Sequence, residues 1–218
     1  MKKIRVLIAE DHTIVRQGLC ALLRSEPDVE VAGEASDGLE AVEMAAKLNP
    51  DVILMDIGMR NLNGLDATRK IKKVLPRMKV LVLTMYDNEE YIFQILKAGA
   101  TGYLIKDSAM TDLISAIRAI HRGDSYLSPS ISRKVIDDYI RRAEGGEKRS
   151  PDDDLISSRE REILQLIAEG HSIPEVASLL CISKKTVEAH KNHIMEKLNI
   201  HDKVGLIKYA IRMGLTNL

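Results

Sequence analysis

Short apolar runs alternate with amphipathic stretches over the first 123 residues, and the runs at 4–9, 29–32, 52–55, 80–83 and 102–105 read as five strands. Three of them are nearly continuously apolar, as strands buried on both faces of a parallel sheet are. Helical periodicity fills the intervals; the clearest case puts Met110, Leu113, Ile114, Ile117 and Ile120 on one face. Five βα repeats predict a doubly wound parallel α/β sheet, covered by helices on both sides, with its ligand crevice at the carboxyl ends of the strands.

From Gly123 the pattern weakens. Residues 124–154 read as a linker carrying one helix at 130–143, and 145–154 holds no hydrophobic residue. Residues 155–218 read as a small all-α domain of four short helices, two of whose starts are marked by the capping boxes Ser157-x-x-Glu160 and Ser172-x-x-Glu175. Within it, 172–180 and 183–198 make a helix, a tight turn and a second helix. Ile173, Val176, Ala177 and Leu180 form the buried stripe of the first, and Val187, His190, Ile194 and Leu198 that of the second. The last helix, 203–213, is expected to bury Val204, Ile207, Ala210 and Ile211.

Composition narrows the class. A chain of 218 residues that is 45% hydrophobic and 29% charged is globular and suits one or two domains; a disordered or collagen-like chain is excluded. No apolar run approaches the roughly 18 to 20 residues of a membrane helix, and Arg5, Glu10 and Asp11 interrupt the first run too early for a signal peptide. Cys20 and Cys181 lie far apart without metal-ligand spacing, as small buried hydrophobes in a reducing cytoplasm would. The expectation is a cytoplasmic protein with no membrane partner. Formal charge is zero, and only 155–218 is net positive, with 9 basic against 7 acidic residues. So weak a basic footprint leaves any case for nucleic-acid binding to rest on pattern.

Glu10 and Asp11 end the first predicted strand and Asp56 the third, and these ends are neighbours in a doubly wound sheet. Clustered carboxylates repel one another unless something positive sits among them, and a hard divalent cation such as Mg²⁺ is the natural remedy. Thr84 ends the fourth strand and Lys106 the fifth, adding a hydroxyl and a cation at the same rim. This set suits a phosphoryl group, whose charge metal and lysine neutralise while threonine donates to an oxygen; an aspartate nucleophile would then form an aspartyl-phosphate. His12 is read as a packing or capping group at the start of the first helix.

Glu10-Asp11, Asp56 with Met59 and Gly64 after it, Thr84, and Gly102-Tyr103-Leu104-Ile105-Lys106 together resemble the signature of a two-component receiver domain over residues 1–123. The resemblance implies the flavodoxin-like fold and a sensor histidine kinase that phosphorylates Asp56. It also implies that Mg²⁺ is held by Asp11, Asp56 and the Gly58 backbone carbonyl with Glu10 in support, and that Thr84 and Tyr103 form a switch pair that moves inward together. Gly58 and Tyr86 would shape water access to the acyl-phosphate bond. Arg60 departs from the family, which usually carries proline after Met59.

In the tail, Lys185, Glu188, Ala189 and Asn192 face outward on the second helix of the pair. Lys184 and Lys191 flank them on one side, Thr186 and Lys197 on the other. A polar helix face with flanking lysines can enter a major groove while its neighbours touch phosphates. Asn192 has the donors and acceptor to read adenine, and Lys185 the reach for guanine. Ser158-Arg159-Glu160-Arg161-Glu162-Ile163-Leu164, Ile167-Ala168-Glu169-Gly170 and Lys185-Thr186-Val187-Glu188-Ala189-His190 resemble the LuxR-type helix-turn-helix. With the receiver, nearly the whole chain resembles a NarL/FixJ-type response regulator. Glu188 departs from the basic residue many members carry there. The resemblance implies double-stranded DNA as partner, a homodimer when phosphorylated, and RNA polymerase as a further candidate partner.

Other functions are weighed on the same residues. An aspartate-nucleophile phosphatase places a second acid two residues after the nucleophile, where this chain has Gly58, so a multiple-turnover enzyme is not expected. A flavin carrier on the same fold needs a phosphate-cradling Ser/Thr/Gly loop after strand one, where this chain has Glu10-Asp11-His12. The nearest rival is a phosphorylation-independent DNA-binding regulator with a degenerate receiver.

Overall fold

A computed structural model describes residues 2–85, 89–106, 110–143, 156–180, 182–213 and 215–216. The expectations for Tyr86, Cys181 and residues 145–154 lie outside the described residues. The chain divides into two compact units, Met1–Glu147 and Lys148–Leu218.

In the first unit, strands β1 (Ile4–Ala9), β2 (Val29–Ala35), β3 (Val52–Asp56), β4 (Lys79–Thr84), β5 (Gly102–Ile105) and β6 (Tyr126–Leu127) pair in parallel in the order β2-β1-β3-β4-β5-β6. Helices α1 (Thr13–Ser25), α2 (Gly38–Leu48), α3 (Gly64–Val74), α4 (Glu89–Lys97) and α5 (Met110–Arg122) connect the first five strands and run on to the sixth. The near-continuous apolarity of the central strands has a direct cause, because successive residues feed cores on opposite faces. Leu7, Ile53, Met55, Val80 and Val82 enter one core, and Val6, Ile8, Leu54, Leu81 and Leu83 the other. The α5 residues Leu113, Ile114, Ile117 and Ile120 all bury in the second core, as their spacing predicts. Cys20 is buried there too, its thiol pushed up to about 11 chiefly by burial, which keeps it protonated and inert.

The sheet departs from five strands. Residues 126–127, expected in the linker, pair with β5 through Gly102↔Tyr126 and Tyr103↔Leu127, and Ser128 N–H donates to the Tyr103 carbonyl. This pairing covers the ladder edge that β5 would otherwise expose. Helix α6 (Pro129–Ala143) then buries Ile131 in the first core and packs Val135 against it, so 124–143 belongs to the first unit rather than to a linker. Pro129 supplies the φ that suits a first helical residue.

Among its described residues, the second unit holds four helices, α7 (Ser158–Ala168), α8 (Ile173–Leu179), α9 (Lys184–Lys197) and α10 (Lys203–Arg212), around Ile163, Leu164, Val176, Val187, Ile194 and Leu206. Both capping boxes form: Ser157 accepts from Glu160 N–H and donates its own N–H back, and Ser172 gives both N–H and Oγ to the Glu175 carboxylate at 2.7 Å. The expected stripe of α10 is corrected. Leu206, Ala210 and Met213 are buried whereas Val204 is 59% exposed, because the core takes the i, i+4, i+7 row and Val204, two residues before Leu206, faces away from it on the first turn.

Candidate functional site

Strand register assembles the acidic pocket one step at a time. Ala9 pairs with Met55, so Glu10 and Asp56 occupy the next step; Asp56 pairs with Leu83, which sets Thr84 beyond it; Thr84 pairs with Ile105, which sets Lys106 at the rim. Backbone bonds from Glu10 N–H to Ala35 O (3.1 Å) and from Lys106 N–H to Thr84 O (2.8 Å) carry the ladder past the strand ends. The turn after β3 is equally constrained. Gly64 N–H donates to Ile57 O at 2.9 Å, and a Cβ on Gly64 would overlap the Asp56 carbonyl, so only glycine lets α3 begin this close to the aspartate. Asn63 caps α3 by accepting from Asp66 N–H at 2.9 Å.

Lys106 is the charge centre of the pocket. Its Nζ stands 2.7 Å from Glu10 Oε2 and 3.0 Å from Asp56 Oδ1. Burial pulls its pKa down, but Asp56 and Glu10 more than offset this, and the ammonium is held above its ordinary range. Asp56 is 5% exposed and its carboxyl is pushed up to about 6, by burial first and then by the charge of Glu10, against the attraction of Lys106. Glu10, Thr84 and Tyr103 are buried. The Tyr103 side chain already lies inward, within the first core.

Ligand atoms of Glu10, Asp11, His12 and Asp56 all lie within 4.8 Å of one another. Asp11 Oδ1 is buried and accepts no hydrogen bond, although His12 Nδ1 stands 2.8 Å away. A buried carboxylate oxygen with no donor, beside two further acids, suits a hard divalent cation. His12 neither packs nor caps with its side chain; it is 60% exposed and sets Nδ1 also 3.1 Å from Glu10 Oε1. Arg60, noted in sequence only as a loop substitution, brings Nε to 3.6 Å from Asp11 Oδ2. A basic residue four positions after an acidic strand end was the available signal for this contact, but its direction depends on the turn.

In the second unit, α9 presents Lys184, Lys185, Thr186, Glu188, Ala189 and Asn192 to solvent, and Lys191 is half-buried. Val187 and Ile194 are fully buried, His190 only partly. The start of α9 is fixed by Ser183, whose Oγ accepts from Thr186 N–H at 3.1 Å and lies 2.7 Å from the Thr186 hydroxyl. Lys197 is engaged within its own unit: its Nζ donates to both oxygens of Glu160, at 2.8 and 2.7 Å. Arg159 donates to the Leu180 carbonyl at 2.9 Å, tying α7 to the turn that follows α8.

Two family models match the chain: a response regulator receiver domain over residues 6–118, and the luxR family of bacterial regulatory proteins over residues 154–210. The oxygen regulatory protein NreC of Staphylococcus carnosus (strain TM300) is 42% identical over 97% of this chain and 99% of its own length. Among solved structures, the Salmonella typhimurium RcsB response regulator aligns at 29% identity with a TM-score of 0.67, over 98% of this chain and 99% of that one. The RcsB–DNA complex aligns at 30% identity with a TM-score of 0.59, over 96% and 98%. A parallel-sheet unit with acids at its strand ends, followed by a helix-turn-helix, matched along both halves, makes this chain a member of the luxR-type two-component response regulators.

Proposed function

We propose that Asp56 accepts a phosphoryl group from a sensor histidine kinase and that this modification controls binding of double-stranded DNA by α9. The observation that carries the reading is Lys106 Nζ lodged between Glu10 and the buried Asp56 at the carboxyl edge of the sheet. With a pKa near 6, Asp56 is mostly ionised at neutral pH and more basic than an ordinary carboxylate, which suits a nucleophile. Its oxygen attacks the phosphorus of the kinase phosphohistidine, a P–O bond forms as the P–N bond breaks, and the imidazole leaves with the electron pair. Lys106 remains beside the new acyl phosphate to offset its charge, and Thr84, buried at the end of β4, would donate its hydroxyl to a phosphoryl oxygen. Asp11, Asp56 and the Gly58 carbonyl, with Glu10 supporting, would hold Mg²⁺, which when bound supplies further positive charge at the phosphoryl oxygens. Gly58 offers no acid for a leaving alkoxide, so the chain takes up and slowly loses its own phosphoryl group rather than turning over substrate.

On the DNA side, Lys184 and Lys191 contact phosphates while Lys185, Thr186, Glu188, Ala189 and Asn192 meet the groove. One solved RcsB structure holds two RcsB dimers bound to two parallel DNAs, and a homodimer on two half-sites is the corresponding reading here, with RNA polymerase as a further partner. Phosphorylation shifts a population from a form with α9 hidden toward an open dimer; equal scattering dimensions and oligomeric state with and without a phosphoryl analogue would refute this release. No helix among the described residues is long and apolar enough to cross a membrane, and the reading places the protein in the cytoplasm.

The deciding experiment is intact mass after incubation with a small acyl-phosphate donor, with and without Mg²⁺, beside Asp56→Ala. One phosphoryl group, lost in the variant and without metal, is expected. No addition to the wild type would favour the second reading, a regulator independent of phosphorylation, for which the Arg60–Asp11 pair is the specific structural support.

A further inference from the structure

Among the described residues, Lys106, Arg60 and His12 carry or can carry opposite charge to the acids of the pocket, and they are not equivalent. Lys106 is held between Glu10 and Asp56 with its side chain only 17% exposed. Arg60 is 74% exposed and approaches Asp11 alone, with Nε 3.6 Å from Oδ2, the oxygen that His12 does not face. The backbone beneath Arg60 is tightly fixed. Met59 and Leu62 are buried anchors on either side. Leu62 N–H donates to the Arg60 carbonyl at 2.7 Å, and Asn61, in the left-handed region at φ 63°, donates its side-chain amide to Asp37 Oδ2 at 2.8 Å. The result is a permanent cation on a free arm, anchored at the edge of the acidic pocket.

We propose that Arg60 is a tethered competitor of the divalent cation at Asp11, so that the pocket binds its metal more weakly than its carboxylates alone would. The inference rests on the receiver reading given above. A guanidinium has donors and no acceptor, so it cannot join the coordination sphere, and it does not lose its proton at any pH the protein meets. A metal arriving at Asp11 must either displace it from Oδ2 or bind against its charge, and both lower affinity. Because the arm is exposed, the guanidinium moves aside without unfolding anything, and the competition is graded rather than absolute. Its size is that of one solvent-exposed unit charge near a divalent ion, roughly three- to tenfold in affinity.

Calorimetric titration of the full chain with Mg²⁺ at low salt, for the wild type, Arg60→Ala, Arg60→Lys and Asp11→Asn, tests this without any phosphoryl donor. Arg60→Ala should bind Mg²⁺ about three- to tenfold more tightly, Arg60→Lys should stay near the wild type, and the gap should close as salt is raised to ~0.5 M. In the Asp11→Asn background, Arg60→Ala should bring no gain. Equal or weaker Mg²⁺ binding by Arg60→Ala, with wild-type binding intact, overturns the competitor role and leaves the receiver reading standing. Absence of Mg²⁺ binding in both wild type and Arg60→Ala overturns the receiver reading and this inference with it.

Discussion

The acidic pocket and the outward face of α9 are built by opposite means. The pocket draws on residues up to 96 positions apart, such as Glu10 and Lys106, and gathers them where the sheet ends, with Glu10 and Asp56 buried. The α9 face is nine consecutive residues, 184–192, whose polar side chains mostly stand in solvent while Val187 alone among them is fully buried. The first arrangement concentrates charge at a cost in stability, seen in the raised pKa of Asp56; the second costs the fold almost nothing. The pocket is thus poised against its own burial. A recognition face needs only to be presented.

That contrast can be broken first at Gly64. Gly64→Val would drive a side chain into the Asp56 carbonyl, and urea denaturation should show a loss of roughly 3 kcal/mol or more from the first unit together with loss of phosphoryl uptake. Survival of both would mean the β3–α3 turn is far looser than its bonds imply. Next comes Asp56→Asn, which should stabilise. The carboxyl sits near 6 in the fold against an ordinary value of 3.8, so the folded chain prefers the protonated acid, and stability declines as pH rises through about 6. The variant should exceed the wild type by about 1–3 kcal/mol at pH 7 to 8, with the gap vanishing below pH ~4, read as melting temperature against pH.

Glu160→Ala removes the carboxylate that accepts Ser157 N–H in the α7 capping box and leaves Lys197 without its partner, and should cost the helical unit about 1–2 kcal/mol. Burial acts to raise the Glu160 pKa, but Lys197 and Ser157 outweigh it and the carboxyl is held below its ordinary range. Its stabilisation is therefore present at neutral pH and fades as the pH falls through the lowered pKa; circular dichroism melts at pH 7 and pH 3 would show the difference between wild type and variant shrink. Phosphoryl uptake should not change. The smallest effect is Lys184→Ala, expected to shift stability by less than about 0.5 kcal/mol while lowering the salt slope of DNA binding by about 1. A large stability change there would mean that α9 is not merely presented.

Most of the pocket was legible in the chain because strand-end positions follow from where apolar runs stop, and parallel pairing makes such ends neighbours. The α9 face was legible because a period of 3.6 separates Val187 and Ile194 from Lys184, Lys185 and Lys191. What escaped were contacts without a periodic signature. His12 stands at the N-cap of α1 as expected, but its ring caps nothing and turns to Glu10 and Asp11, since the helix that follows leaves its side chain at the rim. Arg60 reaches Asp11 from a loop in which Asn61 is left-handed, a turn that no periodicity announces.

Alternating apolar runs and helical stripes by themselves determined the parallel sheet, its two cores, the helical second unit and the acids at the sheet edge, because these follow from local periodicity and the need to cover both sheet faces. Tertiary structure alone decided the sixth strand, the attachment of α6, the choice of Leu206 over Val204 and the partners of His12 and Arg60. Residues 126–127 are too short to be a strand on their own and become one only against the open edge of β5. Such features depend on which surface a segment meets after the sheet has formed.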